Sequence, residues 1–202
     1  MNKNKNQQNK SSVYTVAEGK PNWVDKESIE MFEDEEFKKI INFYVFFNPC
    51  RSLSARAEFS SFYKWTTPWR KPFKLNKQLK KASSNYKLLF SANSYEFIES
   101  ALEKAGLKND FPQNISEEKV CFHNCQTSQF MSVFYHIRNS FAHSRFTIRD
   151  NNGNQIFIFE DVGGKMKTKL SARMILKKST LLKWIEIIEG GEKSFEEQNS
   201  IG

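Results

Sequence analysis

The chain has 202 residues, of which 39% are hydrophobic and 19 are Phe, and it carries a formal net charge of +8 with a pI near 9.3. That length supports one domain with a real core and leaves little room for two. No run of about 18 apolar residues reads as a membrane span, and the Asn/Lys/Gln-rich start lacks the apolar stretch of a secretory signal, so a cytoplasmic protein without a membrane partner is expected.

Residues 1–20 are polar and basic without periodicity and are expected to form a disordered arm. Residues 21–190 are expected to form a single domain, and residues 191–202 a flexible tail. A first helix is predicted from about Ser28 to Phe47, because Ile29, Phe32, Glu36, Ile40, Phe43 and Phe47 recur at roughly helical spacing and Asn48-Pro49 ends the run. A second is predicted from Ser54 to Trp65, broken at Thr66-Thr67-Pro68. Leu75 to Ala105 reads as one or two helices with a boundary near Ala82 to Asn85, stopped by Gly106. Lys108 to Lys119 reads as a loop. The next helix runs from about Gln126 to His143, with Thr127 or Ser128 as its cap. Phe146 and Ile148 then alternate with polar residues, Asn151-Asn152-Gly153-Asn154 turns the chain, and Gln155 to Glu160 returns as a second strand. A last helix is predicted from Ser171 to Glu189, with Leu176, Leu181, Leu182, Trp184, Ile185 and Ile188 as its apolar positions. The expected fold is mainly α, a helical bundle carrying one β-hairpin between the fourth predicted helix and the C-terminal one.

The charge is concentrated. Between Arg51 and Lys81 nine Lys or Arg face one acid, Glu58, and Phe59, Phe62, Tyr63, Trp65, Trp69 and Phe73 are interleaved. Cations for phosphates and rings for unstacked bases make an RNA groove, which nominates Arg70, Lys71 and Lys74 as RNA-binding residues. The same pattern is produced by core rings among solvated lysines.

On a helical wheel of Gln126 to His143, Phe130, Val133, Phe134, Ile137 and Phe141 form one stripe that faces a core. Met131, Tyr135, Asn139 and Ala142 form a second, half-apolar strip, with Arg138 on one border and His143 on the other, each about 70° from its middle. One helix alone places these two groups awkwardly for a single phosphate. A second copy packed through Met131, Tyr135 and Ala142 brings both pairs into one groove, because a two-fold interface uses the same patch twice.

The run Arg138-Asn139-Ser140-Phe141-Ala142-His143 resembles the Arg-x4-6-His motif of the HEPN superfamily. The likeness extends through Phe157-Ile158-Phe159-Glu160-Asp161, Leu170-Ser171-Ala172-Arg173-Met174 and Leu182-Lys183-Trp184-Ile185, about residues 120–190, and is closest to a plasmid- and phage-defence-associated branch. The resemblance implies a homodimeric endoribonuclease that cleaves RNA without metal or other cofactor, acting as a toxin or anti-phage effector, with a cognate antitoxin or regulatory protein as a further partner. Some superfamily members are instead non-catalytic RNA- or protein-binding modules. The residue types suit the chemistry. Attack by a 2′-OH on the adjacent phosphate needs a proton-transfer group, here His143, and a fixed cation for the developing charge, here Arg138. Asn139, at i,i+4, is positioned to orient His143 or to bond the backbone, and Arg145 offers a second phosphate contact.

Three cysteines, Cys50, Cys121 and Cys125, read as free thiols. Cys121-Phe122-His123-Asn124-Cys125 brings metal-ligand types close together, with His136 or Cys50 to complete a set. A zinc-supported nucleic-acid binder is the rival reading, and two buried thiols are the plainer one. Glu33-Asp34-Glu35-Glu36 reads as the solvated face of the first helix.

Overall fold

A computed structural model describes residues 33–50, 63–65, 73–83, 89–108, 117–126, 128–163 and 169–199. The expectation of a mainly helical bundle is overturned: the described residues build an α/β fold on a five-stranded mixed sheet.

Helix α1 (Glu35–Ile41) starts where the Asp34 carboxylate accepts from the backbone N–H of Glu36 and Phe37, at 2.8 and 3.0 Å. It runs into a π-helical turn, Asn42–Phe46. Helix α2 (Phe73–Ala82), strand β1 (Leu89–Ala92) and helix α3 (Ile98–Ala105) follow, the last ending at Gly106 with φ 69°. Strand β2 (Lys119–His123), helix α4 (Gln129–Ala142), strands β3 (Phe146–Asn151), β4 (Asn154–Gly163) and β5 (Lys169–Lys177), and helix α5 (Lys178–Asn199) complete the order. The sheet order is β1-β2-β5-β4-β3, with β1 parallel to β2 and all other pairs antiparallel. The expected hairpin is present: β3 and β4 meet at Asn152 (φ 55°) and Gly153 (φ 78°), and two successive positive φ values are what an Asn-Gly turn provides.

The sheet is covered on both faces. Val120, Phe122, Phe157, Phe159, Met174 and Leu176 belong to the larger core, with Phe37 of α1, Leu79 of α2, Phe134 of α4 and Trp184 of α5. Cys121, Ile156, Ile158 and Ile175 join Ile98, Ala101, Leu102 and Ala105 of α3 in a smaller core on the other side.

That double cover explains what the sequence misread. A strand flanked by helices on both faces loses its alternation of polar and apolar residues. Every residue from Leu170 to Leu176 is buried, so β5 read as the first half of a helix that in fact begins at Lys178. Arg173 lies in the middle of this strand. It is fully buried, paired through Nε to Glu160 Oε1 at 2.6 Å, and donates from Nη1 to the carbonyls of Leu107 and Lys108. Strand β1 lies inside the stretch Leu75 to Ala105 that was expected to be helical, and β2 begins at the end of the expected loop. Helix α5 breaks at Gly191 (φ 73°) and runs on to Asn199, through part of the expected tail. The arm at residues 1–20 lies outside the described residues, as does nearly all of the predicted helix from Ser54 to Trp65. Of that segment, Tyr63 and Trp65 are buried, and the Trp65 indole N–H donates to the Ile188 carbonyl at 3.0 Å, so these two rings are core.

Candidate active site

Helix α4 carries the motif and lies on the sheet. Ser128 is its N-cap, its hydroxyl accepting from Met131 N–H at 3.3 Å. Phe130 and Phe134 meet the Trp184 ring edge-on, with centroids 5.4 and 5.8 Å apart, and Phe141 packs on Phe146 and Phe159 at 4.8 and 5.1 Å. The core stripe read from the sequence is the buried one. The helix closes with Arg145 N–H donating to Ser140 O at 2.8 Å and Ser144 N–H to Phe141 O at 3.1 Å. This six-to-one and five-to-two pair is a Schellman motif, and it forces Ser144 to φ 54°, a position usually given to Gly.

Between Phe130 and Ala142 only Tyr135, Arg138, Asn139 and Ala142 escape burial, at i, i+3, i+4 and i+7. Arg138 and Asn139 of the motif therefore lie on the open stripe of α4. Arg138 is half-buried, and its Nε is enclosed with no hydrogen-bond partner among the described residues. His143 is exposed at the C-cap, its backbone N–H donating to Asn139 O at 2.9 Å. Arg138 and His143 are about 140° apart at about 100° per residue, so one helix does not bring them together. Arg145 is half-buried just beyond the turn, where its carbonyl accepts from Glu160 N–H at 3.0 Å.

Three sequence expectations are corrected. Asn139 does not orient His143 through its side chain; its Nδ2 donates to Asp161 Oδ2 at 3.1 Å. Met131, a candidate dimer contact, is 4% exposed and packed in its own core, where its carbonyl faces Cys50 Sγ at 2.7 Å, leaving Tyr135 and Ala142 as the accessible members of that set. The zinc set does not converge. Cys121 is buried in the smaller core, Cys125 is exposed in the loop beyond the strand end, and no group of three His, Cys, Asp or Glu among the described residues is arranged to hold a metal. Arg70 and Lys71 lie outside the described residues. Lys74 is in the first turn of α2.

No spacing signal marks the group that anchors this helix, His136. The residue is 1% exposed. Its Nδ1 lies 2.7 Å from Asp161 Oδ2 and its Nε2 lies 2.8 Å from the His123 carbonyl, with Cys125 Sγ at 3.6 Å from the same nitrogen. Both close partners are acceptors, so both ring nitrogens carry hydrogen and the ring is an imidazolium. Burial pulls its pKa down, but the hydrogen bonds and negative charge of Asp161 and Cys125 prevail and hold it up at about 9. Asp161 faces α4 because it continues the face of β4 that carries Phe157 and Phe159, two residues apart each, next to a bulge at Asp161/Val162. Its second oxygen accepts from Val162 N–H at 2.9 Å. Ser140 Oγ, 2.7 Å from Glu160 O and 2.8 Å from His136 O, fixes the same helix to the same strand. His123 stacks on Tyr95 with centroids 4.2 Å apart, and burial moves its pKa downward. Nothing in sequence spacing pairs residue 136 with residue 161; the register of β4 beneath α4 does.

Comparison with protein-family models, with curated proteins and with solved structures finds no match for this chain. No helix among the described residues is long and apolar enough to cross a membrane.

Proposed function

We propose that the protein is a metal-independent endoribonuclease, working as a homodimer, in which Arg138 binds the scissile phosphate and His143 transfers protons. The observation that carries the reading is the enclosed Nε of Arg138, without a hydrogen-bond partner among the described residues, on the open stripe of α4, five residues before an exposed His. Leaving a buried donor without an acceptor costs about 1–3 kcal/mol, and a phosphate oxygen recovers it with a charge-assisted bond. The basic balance of the chain favours the same ligand. The 140° separation within one helix is bridged by a two-fold partner that packs on Ala142 and Tyr135, and Arg145 adds a phosphate contact from beyond the helix end. The reading rests on these residues and not on the fold, since the α/β architecture departs from the helical bundle that the HEPN resemblance implies.

In the proposed reaction the 2′-OH attacks the adjacent phosphorus, the P–O5′ bond breaks, and a 2′,3′-cyclic phosphate and a 5′-OH result. DNA has no 2′-OH and is not cut. The test is incubation of wild type and His143→Ala with a mixed RNA pool in EDTA, followed by mapping of the new ends. Cleavage by wild type alone, with cyclic-phosphate ends, supports the proposal. Equal cleavage by both proteins removes His143 from the mechanism, and RNA retention without cleavage by either makes the protein a binding module. Growth arrest on expression of wild type but not of His143→Ala extends the reading to a toxin or defence effector.

A further inference from the structure

Of the three cysteines only Cys125 is exposed. Cys121 is buried in the smaller core, and burial pushes its thiol up to about 12. Cys50 turns its sulfur inward to the Met131 carbonyl at 2.7 Å, and burial pushes its thiol well above the usual range, with the charge of Cys125 adding to the effect. Cys125 lies in the loop between β2 and α4, and its Sγ is 3.6 Å from Nε2 of a ring that is locked as an imidazolium on its far side by Asp161. Cys125, His136 and Asp161 thus form an ordered Cys–His–Asp array with its sulfur at the surface.

The array suits one chemistry better than another. An acyl-transfer site needs backbone donors beside the nucleophile to hold an oxyanion. Here the N–H groups of Cys125 and Gln126 both donate to Ser132 Oγ, at 3.1 and 2.9 Å, so neither is directed at a substrate. His136 is not placed to shuttle protons either, since its Nε2 hydrogen is held by the His123 carbonyl. What remains is a fixed positive charge 3.6 Å from an accessible sulfur, a setting suited to attack by that sulfur on an electrophile. Among the described residues, Cys50 also couples to this sulfur, and as a buried thiol it brings no second positive charge.

We propose that Cys125 is a covalent modification site, an exposed nucleophilic sulfur set beside the His136 imidazolium that takes up low-molecular-weight disulfides by exchange, giving its own proton to solvent as it attacks. The Cys125 sulfur attacks one sulfur of the disulfide, the new S–S bond forms as the old one breaks, and the released thiolate takes a proton from solvent. The disulfide is the only oxidant required. The site is independent of the ribonuclease reading.

The test uses the full chain with oxidised glutathione as the probe. Adducts are counted by intact mass and located by peptide mapping, in the native state and after unfolding in urea. The expected result is one adduct, on Cys125, forming in the native protein on the order of tenfold faster than at the same cysteine in the unfolded chain. His136→Gln and Asp161→Asn, each confirmed as folded by circular dichroism, are expected to lose that advantage, and Cys125→Ser to form no adduct. Adducts spread over Cys50 and Cys121 overturn the proposal. So does a native Cys125 no faster than the unfolded one, a comparison that needs the wild type alone and stands even if a variant does not fold.

Discussion

His136 and His143 lie seven residues apart on one helix and meet opposite surroundings. His136 is sealed between α4 and the end of β4, with each ring nitrogen facing an acceptor and its charge fixed. His143 stands in solvent at the C-cap, where its backbone N–H donates to the Asn139 carbonyl. The first can stabilise the fold and electrify its neighbours but cannot cycle protons. The second contributes little to stability, and its exposed ring is the one that the proposed reaction uses. Residue type alone does not separate these roles; the number of acceptors within reach does.

The comparison breaks most decisively at the exposed end. His143→Ala is expected to lower RNA cleavage by about 10²–10⁴-fold while shifting unfolding free energy by less than about 0.5 kcal/mol. A large loss of stability would mean that His143 is structural after all. Ala142→Arg, on the same open stripe, is expected to dissociate the dimer and abolish cleavage together, read by light scattering and the same RNA assay. An active monomer contradicts the shared groove. At the buried end the order reverses. Asp161→Ala leaves the imidazolium unpaired and is expected to cost about 3–5 kcal/mol in urea unfolding.

The pH dependence sharpens the contrast. The folded His136 keeps its proton to about pH 9, whereas the unfolded ring releases it near 6.5. The stabilisation from that proton is therefore full below about pH 6.5 and is lost as the pH rises toward 9. At about 1.4 kcal/mol per pKa unit it amounts to roughly 3 kcal/mol. Unfolding free energies at pH 6 and pH 9 should differ by about that amount more in wild type than in His136→Gln; an equal pH response in both would remove the imidazolium from the account. The smallest expected effect is at the helix end. Ser144→Gly relieves the positive φ of the Schellman turn and should stabilise the chain by about 0.5–1 kcal/mol, seen as a rise in Tm.

The sequence by itself determined the local pieces whose signals are local. The α4 core stripe and the Asn151–Asn154 turn of the hairpin follow from spacing and turn chemistry, and both are present; the cap was open between Thr127 and Ser128, and Ser128 takes it. The helical period also put Tyr135, Asn139 and Ala142 on a second strip with Arg138 at its border, and these four are the residues of α4 after Phe130 that escape burial. Only the tertiary structure decided that β1, β2 and β5 are strands, because helices on both faces bury every position from Leu170 to Leu176 and leave no alternation to read. It also decided which histidine is charged and locked. His136 meets Asp161 only because β4, in register with β5, passes under α4 with that carboxylate facing the helix. A contact between residues 25 apart in sequence is made by packing and leaves no periodic trace in the chain.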